Sequence, residues 1–410
     1  MCAIYLDNNA TTRPADEVAD AIDRANRELW ANPSSVHRSG QRVRQQLELA
    51  RASVAELIGA RPRELVFTSG GTESNALAIS GTLGAVRTGE PRGALLTTTI
   101  EHSAVREPAQ ALREAGAPVE MLTGDEAGRL HAPEVAEAAE RLARGLAEGG
   151  VLLLSVQWAN NETGVIQPIA EIAAAVDGLR QKLSESPDGK RVKMLLHVDA
   201  TQAVGKLPVD VKAAGVDLLT LAGHKFHGPK ATGALYVRMG VRLRPLQRGG
   251  PQERQRRGGT ENVPGIVGLG VAARLAADFL ADTDRVDTLR ADRDGFERRI
   301  LDSVEGSAVN GAGPDVPRLW NTSNLAFPGL EAEAILVGLS EKGVCASAGA
   351  ACSSGSLEPS PVLLAMGYDE PRAHGSVRFS LSRETTREEL DRAAEITEGV
   401  VAKLRKTMPV

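Results

Sequence analysis

The chain has 410 residues, 42% of them hydrophobic and 25% charged, with a formal net charge of −5. That length buries a large core and suits two or three domains, and the 42 glycines fit a loop-rich soluble α/β enzyme. The mildly acidic balance asks for neither nucleic acid nor an anionic membrane as partner. No apolar run approaches the roughly 20 residues of a transmembrane helix. The opening MCAIYLDNNATTRP lacks a basic region ahead of an apolar stretch, so no signal peptide is expected. Three cysteines, Cys2, Cys345 and Cys352, cannot form a disulfide framework, which points to a reducing cytoplasm and a free reactive thiol.

Strand-like runs alternate with amphipathic helical stretches, the pattern of βαβ units and a parallel sheet. Residues 65–67 run into TSGGTES, and a helix is predicted over 75–81. Residues 94–98 lead into Thr99-Ile100-Glu101-His102, and residues 151–156 lead into Gln157-Trp158-Ala159-Asn160-Asn161-Glu162. SESPDGK at 184–190 reads as an exposed loop. The apolar runs 194–198 and 216–221 end abruptly in polar residues and read as buried parallel strands. A Gly/Arg/Gln-rich stretch over 248–260 precedes residues 263–280, whose apolar spacing suits a long buried helix. The expected division is a large domain over 16–262, with 1–15 and 263–410 forming a smaller α+β domain.

The first of the two late runs delivers Asp199 and Gln202, and the second delivers His224 and Lys225. Open α/β sheets bind ligands at the carboxyl ends of their strands, so these residues converge on one crevice. A lysine there, with an acid on a neighbouring strand, suits pyridoxal phosphate (PLP). The lysine attaches the cofactor, and the carboxylate keeps the pyridine nitrogen protonated so that the ring withdraws electrons. The bland alternative is a surface lysine beside an ordinary strand-end aspartate; their joint placement favours the cofactor. Thr68–Asn75 (TSGGTESN) places glycines and hydroxyls between a strand and a helix, a phosphate site to which Thr72 would add a hydroxyl. Simple helix capping is the alternative there. His102 could stack on the pyridine ring and shuttle protons, or be an ordinary surface histidine. Asn161 and Gln202 suit the cofactor's ring oxygen, or could satisfy backbone groups.

Residues 343–361, GVCASAGAACSSGSLEPSP, read as a mobile surface loop in which Cys352 can become a thiolate nucleophile. Cys345 borders an apolar stretch and reads as packing; Cys2 carries no motif. Arg378 stands alone in the strand-like SVRFSL, where an unpaired buried charge would be costly. It is expected to point into the cleft and hold a substrate carboxylate bidentately, with an internal salt bridge as the alternative.

YLDNNATT at 5–12, NPSSVH at 32–37, TSGGTESN, Glu101-His102, NNETG at 160–164, HVDATQ at 197–202, Gly223-His224-Lys225 and CSSGSLEPS at 352–360 resemble cysteine desulfurases. The resemblance is to the NifS/IscS-type branch of the class V, fold-type I PLP enzymes, and it runs in order from about residue 5 to 386. It implies an α/β fold with a mostly parallel sheet flanked by helices, plus the smaller domain. It implies Lys225 carrying PLP, Asp199 at the pyridine nitrogen, Gln202 and Asn161 on the ring and His102 stacked over it. Gly71, Thr72 and His224 would hold the phosphate, and Thr260 would reach the phosphate of a partner subunit in a homodimer. Arg378 would grip the carboxylate of L-cysteine, with Asn161 beside it. Cys352 would accept the sulfur as a persulfide and pass it to an acceptor protein, an iron–sulfur scaffold or a thiolation carrier.

Three positions depart from the family pattern. Ala222 stands where a serine usually contacts the phosphate. Gly349-Ala350-Ala351-Cys352-Ser353 replaces the usual Gly-Ser-Ala-Cys-Thr. The tail ends at LRKTMPV, without the extension by which some IscS-type members dock a scaffold. A selenocysteine lyase, another class V lyase or aminotransferase, and a catalytically silent subunit that keeps the fold are the competing readings.

Overall fold

The computed structural model describes residues 4–84, 92–185, 191–313, 315–349 and 358–407. A short strand β1 (Ile4–Tyr5) opens the chain, followed by helices α1 (Asp16–Glu28) and α2 (Arg38–Leu57). Alternation then begins: β2 (Leu65–Thr68), α3 (Gly71–Leu83), β3 (Gly93–Thr98), α4 (Ser103–Glu114), β4 (Val119–Leu122), α5 (Ala132–Arg144), β5 (Val151–Gln157) and α6 (Ile169–Ser184). Strands β6 (Lys193–Asp199), β7 (Leu218–Ala222) and β8 (Gly233–Val237) complete the sheet. The remainder comprises α7 (Val263–Ala281), α8 (Thr283–Ser303), β9 (Ala308–Val309), β10 (Thr322–Ala326), α9 (Ala332–Glu341), β11 (Val344–Cys345), α10 (Pro361–Ala365), α11 (Glu370–His374), β12 (Ser376–Ser380) and α12 (Arg387–Thr407).

The seven-stranded sheet has the order β2-β8-β7-β6-β5-β3-β4, and only β8 runs antiparallel to its neighbours. Its strands are apolar on both faces because both faces are covered. Leu152, Leu154, Leu196, Leu219 and Leu221 enter one apolar layer with α1, α2, α5, α6 and α7. The alternate residues Leu153, Leu195, Leu218 and Leu235 enter the other, with Leu77, Ile79 and Val105 of α3 and α4. A second body packs β10 and β12 against α8, α9 and α12, with Phe296 edge-on to Phe379 at 5.1 Å. The N-terminal segment joins this body, β1 pairing with β11 and Asp7 bridging to Ser380.

Two elements differ from the sequence expectation. The helix predicted over 75–81 begins at Gly71, because Gly70, at φ 149°, turns the chain straight from β2 into α3. Helix α7 is long and apolar enough to cross a membrane by length and composition, which the sequence reading did not register; 56% of it is buried. Small residues let it pack as a core helix: a Cβ on Gly270 would meet Ala50 at 2.7 Å, and one on Gly268 would meet Ile22 at 2.7 Å. From Val263 to Ala276 its buried residues belong to the large core, and only Phe279 enters the second.

The Gly/Arg/Gln-rich stretch is pinned by one buried ion pair. Glu253, Arg254 and Gln255 all have positive φ (45°, 57° and 64°), a costly run for residues with side chains. Glu253 holds it down by accepting from both terminal nitrogens of Arg51 (2.9 and 2.7 Å) and from the Phe67 N–H (2.9 Å). The Arg51 guanidinium also lies 4.4 Å over the Phe67 ring. Removing one partner leaves the other charge buried, so Glu253→Ala is expected to lower the unfolding free energy by about 3–5 kcal/mol. Urea unfolding checks this as a lower midpoint at unchanged m-value; a loss below about 1 kcal/mol would show that the pair does not hold the segment.

Candidate active site

Parallel pairing brings the ends of β5 and β6 level, Gln157 beside Asp199, with Thr220 of β7 in register and β7 running two residues further. The residues that follow each strand line one cavity of about 780 Å³. Lys225, Asp199, His102, Gln202, Asn161, His224, Thr72, Gly71 and Arg378 all line it. Thr260 does not; it is exposed, beyond the clamped segment. Cys352 and Cys2 lie outside the described residues, while Cys345 is half-buried in β11 opposite Tyr5. Gly349 and Glu358, on either side of residues 350–357, line the cavity.

Asp199 closes β6 with both oxygens engaged. Oδ2 accepts from Asn75 Nδ2 at 2.6 Å, and Oδ1 accepts from the Thr201 N–H at 2.9 Å. Those two bonds fix the carboxylate at the base of the crevice. Lys225 leaves β7 in a short 3₁₀ turn, and its Nζ donates to the carbonyls of Asn9 (2.6 Å) and Ala10 (3.0 Å). The N-terminal segment thus reaches across the crevice to the lysine. Asn9 O also accepts from Gln202 Nε2 at 2.9 Å, and Asn9 Oδ1 accepts from the buried Lys206 at 2.9 Å. Burial, with Lys225 and Arg378 nearby, holds the Lys206 amine well below the ordinary lysine pKa.

His102 caps α4, its Nδ1 accepting from the Ala104 N–H at 3.1 Å. In the neutral ring the proton then sits on Nε2. Burial lowers its pKa, with Lys225 and Arg106 adding to the shift and Asp199 opposing it. His224 is driven down to about 4 by burial and then by Lys225, so it is neutral at physiological pH; its Nδ1 lies 3.2 Å from Thr11 Oγ1. Arg378 is 1% exposed and pairs with Asp7 at 2.7 Å. Its Nη1 donates to the carbonyls of Asn161 (3.0 Å) and Gly349 (3.2 Å), and its Nε is buried without a partner. The internal ion pair read as the alternative for this arginine is present, and its Nε is a spare donor in a residue that lines the cavity.

Several wall residues had no role assigned from sequence. Asn75 lay inside the phosphate motif and Thr201 inside HVDATQ, but nothing local marked either as a contact of Asp199. Asn9 and Asp7 are separated from their partners by some 200 to 370 positions. Glu101 Oε1 accepts from Thr98 Oγ1 (2.8 Å) and the Gln157 N–H (2.9 Å), while Oε2 has no partner. Burial lifts its pKa to about 8 against those two bonds, with Asp199 adding to the rise.

The whole chain fits known proteins along these lines. Residues 4–393 match the aminotransferase class-V family model. "Cysteine desulfurase NifS" of Azotobacter vinelandii is 45% identical over 410 residues, covering 100% of this chain and 95% of that protein. "Cysteine desulfurase 2" of Trichormus variabilis is 44% identical, covering 100% and 96%. A solved NifS-like protein superposes with a TM-score of 0.85 at 32% identity, covering 98% of this chain and 100% of its own. The chain belongs to the class V aminotransferase family, whose members use PLP on a fold-type I scaffold. Within that family it stands with the NifS/IscS-type cysteine desulfurases. The residues present fit PLP: an amine, a fixed carboxylate and a ring-capable imidazole surround the cavity. At its edge, beside the start of α3, Thr201 Oγ1 is buried without a hydrogen-bond partner.

The raised pKa of Glu101 has a consequence for stability. Between its unfolded value near 4.5 and its folded value of about 8 the native state holds a proton that the unfolded chain has lost. Its contribution is fully present below pH 4.5 and declines as pH rises towards 8. Glu101→Gln keeps the acceptor oxygen and cannot ionise. It is expected to remove a slope of about 1.4 kcal/mol per pH unit across that window. Denaturant unfolding of both proteins at pH 5 and pH 8 checks this; parallel pH profiles would contradict it.

Proposed function

We propose that this chain is a PLP-dependent cysteine desulfurase that converts L-cysteine to L-alanine and places the sulfur on Cys352 as a persulfide. The observation that carries the proposal is the convergence of Lys225, Asp199, His102 and Arg378 on one cavity at the sheet's carboxyl edge.

When bound, PLP supplies a protonated ring that absorbs the charge left when the substrate loses its Cα proton. Lys225 would hold the cofactor covalently, and its Nζ, when free, would be the base that takes the substrate's Cα proton. Asp199 keeps the proton at the pyridine nitrogen, for which its two fixed hydrogen bonds preset it. His102 would lie against the ring and could offer a proton from Nε2. Gln202 and Asn161 would contact the ring, and Gly71, Thr72 and His224 would hold the phosphate at the start of α3. Arg378 grips the substrate carboxylate through its uncommitted donor capacity, with Asn161 alongside. The Cys352 thiolate then attacks the substrate sulfur. An S–S bond forms as the Cβ–S bond breaks; the electron pair of that bond stays on Cβ, which takes a proton, Cα regains its proton, and alanine leaves while Cys352 keeps the sulfur as a persulfide.

We further propose that the enzyme is a homodimer in which Thr260 reaches the phosphate of the partner subunit. Its exposure, away from its own cavity, supports that reading. The persulfide is delivered to an iron–sulfur scaffold or a thiolation carrier in a reducing cytoplasm.

Alanine released from L-cysteine in the presence of a reductant tests the reaction. Cys352→Ala is expected to lose activity by on the order of 100-fold or more, since the sulfur then has no nucleophile to leave on. Equal alanine from both proteins would favour a lyase or aminotransferase, and no alanine from either would favour selenocysteine as substrate or a catalytically silent subunit.

A further inference from the structure

We propose that the Thr201 hydroxyl binds the cofactor phosphate and replaces the donor that Ala222 lacks. The proposal rests on the reading above that the PLP phosphate lies at the start of α3.

Helix α3 opens on Gly71, and no side chain caps it from Gly70. Its first amides are therefore available to an anion, as at any uncapped helix start. Glu73, the acid in that turn, is already engaged by the Ser69 N–H at 2.7 Å and by Arg257 at 3.0 Å. A Cβ built on Gly71 would lie 3.1 Å from Thr201 Oγ1 and 3.6 Å from the Ala222 methyl. Those two side chains thus stand together against the first turn, and both residues line the cavity. The family pattern puts a phosphate-binding hydroxyl at the second position, and here that position is a methyl.

The first position carries the hydroxyl instead. Thr201 Oγ1 is buried and has no hydrogen-bond partner. A buried hydroxyl without a partner is costly, so its retention needs a reason. Its backbone N–H is fixed on Asp199 Oδ1 at 2.9 Å, which holds the side chain between the ring-nitrogen carboxylate and α3. A phosphate oxygen at the start of α3 is the acceptor this hydroxyl lacks. The same close approach accounts for Gly71, because any side chain there would press on Thr201.

The test is the dissociation constant of PLP, read by visible absorbance on the full-length protein. It compares wild type with Thr201→Val, Ala222→Ser and the double variant, with pyridoxal, which lacks the phosphate, as the control ligand. Thr201→Val is expected to weaken PLP by about 10-fold or more, the worth of a hydrogen bond to a charged group. Pyridoxal binding should not change. Adding Ala222→Ser to Thr201→Val should recover most of the loss, which a folding defect would not allow. PLP affinity unchanged in Thr201→Val would overturn the proposal, as would equal weakening of PLP and pyridoxal, or a double variant as weak as the single. In those cases, loss of the visible band in Lys225→Ala would leave the wider PLP reading standing. A band that survives Lys225→Ala, with inorganic phosphate unable to compete with PLP, would overturn both.

Discussion

Everything in the crevice depends on the register of three buried strands. Gln157, Asp199 and Thr220 share one register line, and neighbouring strands of leucine on both faces cannot slip by a residue without turning core side chains around. Asp199 is therefore placed by the sheet and then oriented by Asn75 and the Thr201 N–H. Lys225 emerges one strand over, from a turn whose carbonyl at His224 is tied to Thr12. The chemistry needs an acid and an amine at fixed positions around one ring, and a rigid sheet edge supplies that better than mobile loops.

The same burial that fixes these groups decides which of them carry charge. Arg378 pairs with Asp7, a partner from the far end of the chain. Lys206 and His224, buried with cations as neighbours, are pushed towards their neutral forms. Glu101, with one oxygen unpartnered, is pushed towards the protonated acid. Burial thus favours the neutral forms of His224 and Glu101 in the wall of the crevice and of Lys206 behind it.

Much of this was legible in the sequence because the reactive residues follow apolar runs directly: Asp199 after β6, Lys225 after β7, His102 after β3. The parallel sheet and the glycine turn into α3 were readable for the same reason. What was not legible depends on contacts distant in sequence. Asn9 bonds Lys206 across 197 positions, and Arg378 bonds Asp7 across 371. The Arg51–Glu253 clamp spans 202 positions, so the stretch around Glu253 read only as polar and glycine-rich. Helix α7 was seen as buried, but its small residues did not announce that α1 and α2 were the partners. Cys352, the proposed sulfur acceptor, was read from composition and resemblance and lies outside the described residues.

Two buried or half-buried lysines, Lys225 and Lys206, share the Asn9 contact, and only one of them can carry the cofactor. Reducing the PLP-loaded enzyme with borohydride makes the lysine link permanent, and mass spectrometry of the peptides then locates it. The modification is predicted on Lys225 alone, with Lys206 unmodified. Modification of Lys206, or of no lysine in this crevice, would contradict the assignment on which the chemistry rests.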